Sequence, residues 1–273
     1  MSRSSSIENT CIDLAVIFPN SPAAGALPAA EVEKRQASFN ARKALLRSNP
    51  SLYISKTRLS IRQIPLFVTD RTLKKLALYA VRAFNDEVKS AEREALARSE
   101  ELDETLSSAV AGKKTLRGER PTAVIQSKVV RSKEKSDPMT GLGRSRGYGF
   151  LEMRTHKDAL KVLRWANNNP ALGALLWEWW IAESKDVLER TKRNLDIARK
   201  GGKGASTEAA DPEGKKQDSV EDLEGRVRLL EARLSDRGGS DAAGMRGGKT
   251  LLIEFSIENV LETRRCKERA TLC

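Results

Sequence analysis

The residues best suited to chemistry in this chain are two aromatic side chains set two positions apart, Tyr148 and Phe150. They belong to the run Arg-Gly-Tyr-Gly-Phe-Leu-Glu-Met over residues 146–153, which also carries Arg146. In a β-strand, residues two apart project from the same face, so the spacing predicts two rings side by side. Rings on an open sheet stack on unpaired nucleic-acid bases, and a neighbouring arginine pairs with phosphate. The alternative is a strand whose rings pack beneath a loop or helix.

The distribution of charge points to the same kind of partner. The chain holds 49 Lys and Arg against 37 Asp and Glu, a net charge of +12. Residues 112–154 contain eleven basic and four acidic side chains, whereas residues 183–248 contain fourteen of each. A concentrated cationic stretch favours a polyanion such as nucleic acid, although a merely soluble basic surface is the alternative.

The remaining residue types exclude several classes of function. The three cysteines form no CxxC pair, so they predict neither a disulfide framework nor a zinc site, and a reducing, intracellular compartment is expected. His156 is the only histidine and is expected on the surface, in the first turn of a helix. No constellation for catalysis, metal or cofactor is present. No segment approaches the roughly 18 apolar residues of a membrane span. We therefore expect a non-enzymatic protein without a cofactor or a membrane partner.

Hydrophobic patterning supplies the elements that would hold the two rings in place. Thr69 and Thr155 are each placed to cap an amphipathic helix, and Asp158 completes a capping box with Thr155. Four strands are predicted, at residues 58–64, 122–131, 146–153 and 251–257. Their β-α-β-β-α-β order predicts an α+β, ferredoxin-like fold, in which a four-stranded antiparallel sheet has two helices on one face and an open second face.

The open face collects the candidate RNA-binding residues. The first strand should lie beside the third, with Ser60 and Arg62 pointing outward. An acid on this face, Glu254, could accept hydrogen bonds from base amino groups or deter phosphate. Besides Tyr148, Phe150 and Arg146, the predicted site residues are Ser60, Arg62, Gln126, Lys128, Arg144 and Glu254.

The run at residues 146–153 matches the RNA-recognition-motif (RRM) octamer, K/R-G-F/Y-G/A-F-V-x-F/Y, at its first five positions. Together with residues 49–52, 57–65, 72–76, 163–165 and 253–259, it resembles the last RRM of the fungal nucleolar multi-RRM proteins needed for large ribosomal subunit maturation. The resemblance implies binding of single-stranded pre-ribosomal RNA in the nucleolus of the nucleus, beside ribosome-assembly proteins and without catalysis. Ser60 departs from the RRM pattern, which has an aromatic residue there. A protein-docking RRM within an assembly particle is therefore the second hypothesis.

The chain divides into a short series of predicted segments. The connections between the first helix and the second strand and between the second helix and the last strand are both expanded. All four tryptophans, Trp165, Trp177, Trp179 and Trp180, lie at or just before the start of the second connection and are expected to form a flap on the helical side, with a docking surface as the alternative. A linker at 198–216 and a docked or marginal helix at 220–234 follow. The segments are a disordered 1–30, a helical flank at 31–56, the first part of the RRM at 57–168, an insertion at 169–249, the last strand at 250–262 and a tail at 263–273.

Overall fold

The computed structural model describes residues 22–25, 27–96, 122–136, 143–200, 220–235 and 250–261. Predictions for the segment 1–21, most of the linker at 198–216 and the tail at 263–273 lie outside these residues. No described helix is long and apolar enough to cross a membrane. In chain order the elements are α1 (Pro22–Gly25), α2 (Ala29–Ser48), β1 (Leu52–Arg62), α3 (Asp70–Lys89), β2 (Val124–Ser136), β3 (Gly143–Met153), α4 (His156–Ala166), α5 (Leu172–Lys200), α6 (Val220–Ser235) and β4 (Leu252–Asn259).

The four strands form one sheet in the order β2-β3-β1-β4, and every neighbouring pair is antiparallel. The prediction of an α+β fold with a four-stranded antiparallel sheet is therefore confirmed. Strand β1 lies at the centre of the sheet and pairs with both β3 and β4. It begins six residues before the predicted residue 58, because Leu52 and Tyr53 pair with the end of β4 across a register shift.

One face of the sheet carries the hydrophobic core. The inward residues Leu59 and Ile61 of β1 are fully buried, as predicted, in a cluster shared with α3 and α4. Both predicted caps are present: the hydroxyl of Thr69 accepts a hydrogen bond from the backbone N–H of Thr72, and that of Thr155 accepts one from the N–H of Asp158. These caps set the start of each helix over the sheet.

The prediction of a surface histidine at the start of α4 is wrong. His156 is 4% exposed, its Nδ1 lies 2.7 Å from the carbonyl oxygen of Lys56, and its ring packs beside Phe255. The physical reason lies in β1, whose early start and register shift bring Lys56 over the helix terminus. The histidine is therefore a structural residue that joins β1 to α4.

Helix α2 occupies the opposite face of the sheet, where the sequence predicts open surface. Its side chains Arg35 and Arg42 are 2% and 7% exposed. Arg35 donates hydrogen bonds to Glu31, Asn168 and Thr250, and Arg42 contacts β4. A helix is present in the predicted flank at 31–56, but it packs against the sheet and does not precede the folded domain as a separate flank.

The connection between α4 and β4 begins as part of the core. Leu172, Leu176 and Trp179 of α5 join the core cluster, and Trp179 meets the edge of the Tyr79 ring on α3. Trp177 and Trp180 pack on Phe67. The prediction that the tryptophans cover the helical side is confirmed.

Farther along the connection, α5 and α6 form an antiparallel hairpin. Ion pairs join Lys192 to Glu231 at 2.7 Å and Arg199 to Glu224 at 2.6 Å, which fixes the antiparallel order. Leu195, Leu223 and Leu230 are buried between the two helices but do not belong to the main core cluster. The helix predicted at 220–234 is therefore docked on α5.

Candidate nucleic-acid interface

Strand β3 presents Tyr148 and Phe150 on the face opposite α3 and α4. Gly149 and Leu151, between and after the rings, are buried on the core side. Tyr148 is 36% exposed, Phe150 is half-buried, and their rings meet edge to face with centroids 6.4 Å apart. The predicted alternation is thus present, and two aromatic rings are accessible side by side.

The glycines of the same run keep this strand close to its neighbour. A Cβ atom at Gly149 would lie 2.7 Å from the carbonyl oxygen of Lys128 on β2, nearer than real contacts allow. Gly147 has a φ of +75°, a conformation that L side chains rarely adopt. Both glycines are therefore needed for the backbone conformation of β3, while Tyr148 and Phe150 provide the exposed surface.

Strand β2 extends the same face on one side of the rings. Its register pairs Lys128 with Phe150 and Gln126 with Glu152, so both predicted residues point outward and both are exposed. Among the described residues Lys128 has no ion-pair partner. We call the outward face formed by Tyr148, Phe150, Gln126 and Lys128 the open strip.

Strand β1 lies on the other side of the rings. Its register sets Arg62 opposite Tyr148 and Ser60 opposite Phe150, so the structure brings both predicted residues beside the rings. The Ser60 hydroxyl donates a hydrogen bond of 3.4 Å to the carbonyl oxygen of Glu254 and supplies no stacking surface. The Arg62 guanidinium donates to the Ser38 hydroxyl at 3.0 Å.

The sequence reading missed Arg58, although it shares the phase of Ser60 and Arg62. Its guanidinium carbon lies 5.2 Å from the centre of the Phe150 ring, and it pairs with Glu258 at 3.4 Å. A cation over a ring face is attracted by the ring quadrupole. The signal available in the sequence was the alternation of three outward polar residues at 58, 60 and 62.

Glu254 lies on the predicted face but beneath helix α2. It is 5% exposed, accepts hydrogen bonds from Ser38 at 3.0 and 3.2 Å, and pairs with Arg42 at 3.2 Å. Burial lowers the pKa of the Arg42 guanidinium, while the charge of Glu254 raises it and that of Arg62 lowers it further. Helix α2 and this cluster cover the β1–β4 half of the face, so Glu254 has no access to a ligand there.

Arg144 and Arg146 stand on β3 before the rings, and both are exposed. Neither has an ion-pair partner among the described residues, and the buried Ser145 separates them. Across all the residues that the structure describes, no three His, Cys, Asp or Glu side chains are grouped so that they could hold a metal ion. The site therefore offers rings and cations for stacking and phosphate pairing.

Comparisons with known proteins bear on this surface. No protein-family model matches the chain, and no solved structure matches it. Over 157 residues the chain is 28% identical to human RNA-binding protein 28, a stretch that covers 58% of this chain and 16% of that protein. The chain is thus similar, over somewhat more than half its length, to a small part of a protein named for binding RNA.

Proposed function

We propose that the chain is an RRM domain that binds single-stranded RNA on its open strip. The observation that carries the proposal is the accessible pair Tyr148 and Phe150 on β3, beside Lys128, which has no ion-pair partner in the part of the chain that the structure describes. Exposed rings stack on the bases of single-stranded RNA whatever its sequence, and neighbouring cations neutralise its phosphates. The similarity to an RNA-binding protein supports the same function.

The finer part of the proposal concerns the RNA itself. The octamer and its flanks resemble the last RRM of fungal nucleolar proteins that mature the large ribosomal subunit. We infer that the ligand is pre-ribosomal RNA, met in the nucleolus together with ribosome-assembly proteins, and that the role is binding without catalysis.

The test replaces both rings at once. In a folded Tyr148→Ala/Phe150→Ala variant, affinity for a single-stranded oligonucleotide should fall by roughly 1–3 kcal/mol for each lost stack. The matched control is Tyr79→Ala, because Tyr79 is 41% exposed but lies on the helical side. Melting curves for each variant establish that the fold is intact. Unchanged RNA affinity in the double variant would refute stacking on the open strip.

A protein-docking role is the second candidate, and one observation favours it. Helix α2 leaves only the β2–β3 half of the sheet face for a ligand, and Ser60 on the adjoining strand β1 adds no ring to that half. If wild-type protein binds no single-stranded RNA at low salt, where phosphate contacts are strongest, the docking role takes the place of RNA binding.

A further inference from the structure

The open strip is closed on one side by helix α2. Ser38 and Arg42 of the helix hold Glu254 of β4, and Arg62 at the border is tied to the same cluster. A ligand that lies on the rings therefore meets a helix when it moves from β3 towards β4.

RNA that displaced helix α2 would form few favourable contacts with the surface beneath the helix. Around Glu254 the outward residues are Ser60, Leu252 and Ser256, none of which is aromatic. The outward Tyr53, farther along β1, donates its hydroxyl to the Glu258 carboxylate. Removing the helix would also expose the carboxylate of Glu254, which repels phosphate. The part of the face around Glu254 is therefore a boundary of the RNA site.

The opposite direction is open and cationic. Pairing of β1 with β3 ends at Arg62 and Tyr148, whereas pairing of β2 with β3 continues to Ser136 and Gly143. The first residues of β3 thus form a two-stranded ribbon with β2 beyond the rest of the sheet. We call this part of the two strands the ribbon.

The ribbon continues the outward face of the rings. On β2, Val129 and Arg131 are two residues apart and pair with the buried Gly149 and Ser145, which are four residues apart on β3 across a register shift. Both separations are even, so each strand keeps its alternation. The inward phase is therefore kept, and the exposed residues next to Ser145 fall on the outer side. These residues are Arg144 and Arg146.

We propose that the RNA strand runs lengthwise along β3, from bases stacked on Phe150 and Tyr148 to a backbone held by Arg146 and Arg144. It does not cross the sheet towards β4. On the partner strand, Arg131 opposite Ser145 lies three positions from Lys128 opposite Phe150. Arg144 is one residue farther along β3, so it lies about 13 Å from Phe150 at roughly 3.3 Å per residue, which extends the site beyond the two rings. This inference rests on the proposed function and specifies the path of its ligand.

The path is tested by varying the length of the RNA. We compare a uridine dinucleotide and a uridine octanucleotide, titrated into the full chain and followed by backbone amide chemical shifts. The dinucleotide should shift the amides of Tyr148 and Phe150. The octanucleotide should shift those of Arg144 and Arg146 as well, while the amides of β4 stay in place.

Charge removal gives the second arm of the test. Arg144→Ala should weaken octanucleotide binding several-fold and reduce its salt slope by about one, leave the dinucleotide unaffected, and be rescued by Arg144→Lys. The control is Arg47→Ala, an exposed arginine on α2. Equal losses for both lengths, an effect of Arg47→Ala in place of Arg144→Ala, or shifts along β4 would overturn the path. If neither the dinucleotide nor the octanucleotide bound the protein, the proposed function itself would be refuted.

Discussion

The guanidinium of Arg62 on β1 donates a hydrogen bond of 3.0 Å to the hydroxyl of Ser38 on α2, and the two residues are 24 positions apart. Arg62 also lies opposite Tyr148 in the register of β1 and β3. A helix that the sequence places outside the domain therefore holds a cation beside one of the two rings.

Removing the Ser38 hydroxyl should weaken RNA binding through Arg62. A cycle of Ser38→Ala, Arg62→Ala and the double variant should show a coupling of about 0.5 kcal/mol or more in RNA affinity. Ser48→Ala serves as the control, because that exposed hydroxyl donates to the Leu45 carbonyl within its own helix. Strictly additive losses would mean that Ser38 does not act through Arg62.

Breaking the buried ion pair between Arg42 and Glu254 should loosen helix α2. In Arg42→Ala the Glu254 carboxylate loses its buried ion-pair partner and keeps Ser38 and the more distant Arg62, at 3.6 Å. We expect the free energy of unfolding to fall by about 3 kcal/mol. Denaturant titration measures the loss, and limited proteolysis within residues 29–48 reports detachment. The exposed-site control Arg47→Ala should stay within about 0.5 kcal/mol of the wild type. Replacing both partners, as Arg42→Met/Glu254→Leu, should regain most of the loss, and a double variant as unstable as the single one would contradict this account.

Acid should loosen the N-terminal end of the same helix. Burial raises the pKa of Glu31, but hydrogen bonds from Arg35, Gln63 and Lys34 outweigh it and lower the pKa to about 2. Because the folded pKa is depressed, the contribution to stability is complete above the ordinary value of 4.5 and is lost as the pH falls towards 2. It amounts to at most about 3 kcal/mol.

The measurement is the free energy of unfolding of the wild type and of Glu31→Gln, from pH 6 down to about pH 2. Wild-type protein should lose more stability than Glu31→Gln across this window, because the variant has no carboxylate to protonate. Parallel curves would show that Glu31 is not held as the structure has it.

The insertion should divide into an essential and a dispensable part. Glu183 accepts hydrogen bonds from the hydroxyls of Thr69 and Thr72 at 2.8 and 2.7 Å, so the core side of α5 extends at least that far. Trp179→Ala should cost about 3 kcal/mol of stability. Replacing residues 187–248 with a Gly-Ser linker should preserve both the fold and RNA binding, as measured by melting and titration. If this linker variant did not fold, the α5–α6 hairpin would be an essential part of the fold.

The predictable parts of this structure are those specified by apolar spacing and by caps. Leu59 and Ile61 alternate with polar residues as half-buried strands do, and Thr69 stands at the start of a helix with apolar positions three and four apart. These signals were sufficient for the sheet, for α3 and α4, and for the two rings on β3.

The docking of α2 could not be predicted in this way, because its most buried side chains are charged. Glu31, Arg35 and Arg42 occupy the face that meets the sheet, where a pattern search expects apolar residues. Their partners, Thr250 and Glu254, come more than 200 residues later in the chain. Without a local signal, the covered half of the face and the enclosure of Glu254 were visible only in three dimensions.

The position of β4 in the chain has a consequence for biosynthesis. Strand β4 begins about 100 residues after β3 ends, and at typical elongation rates this separates them by roughly 5 to 20 s. During that interval β1 has an unpaired edge, the kind of edge on which chains associate wrongly. Helix α2 leaves the ribosome first, yet Glu254, its buried ionic partner, is made near the end. We therefore expect the nascent sheet to be vulnerable to chaperone capture until its last strand arrives.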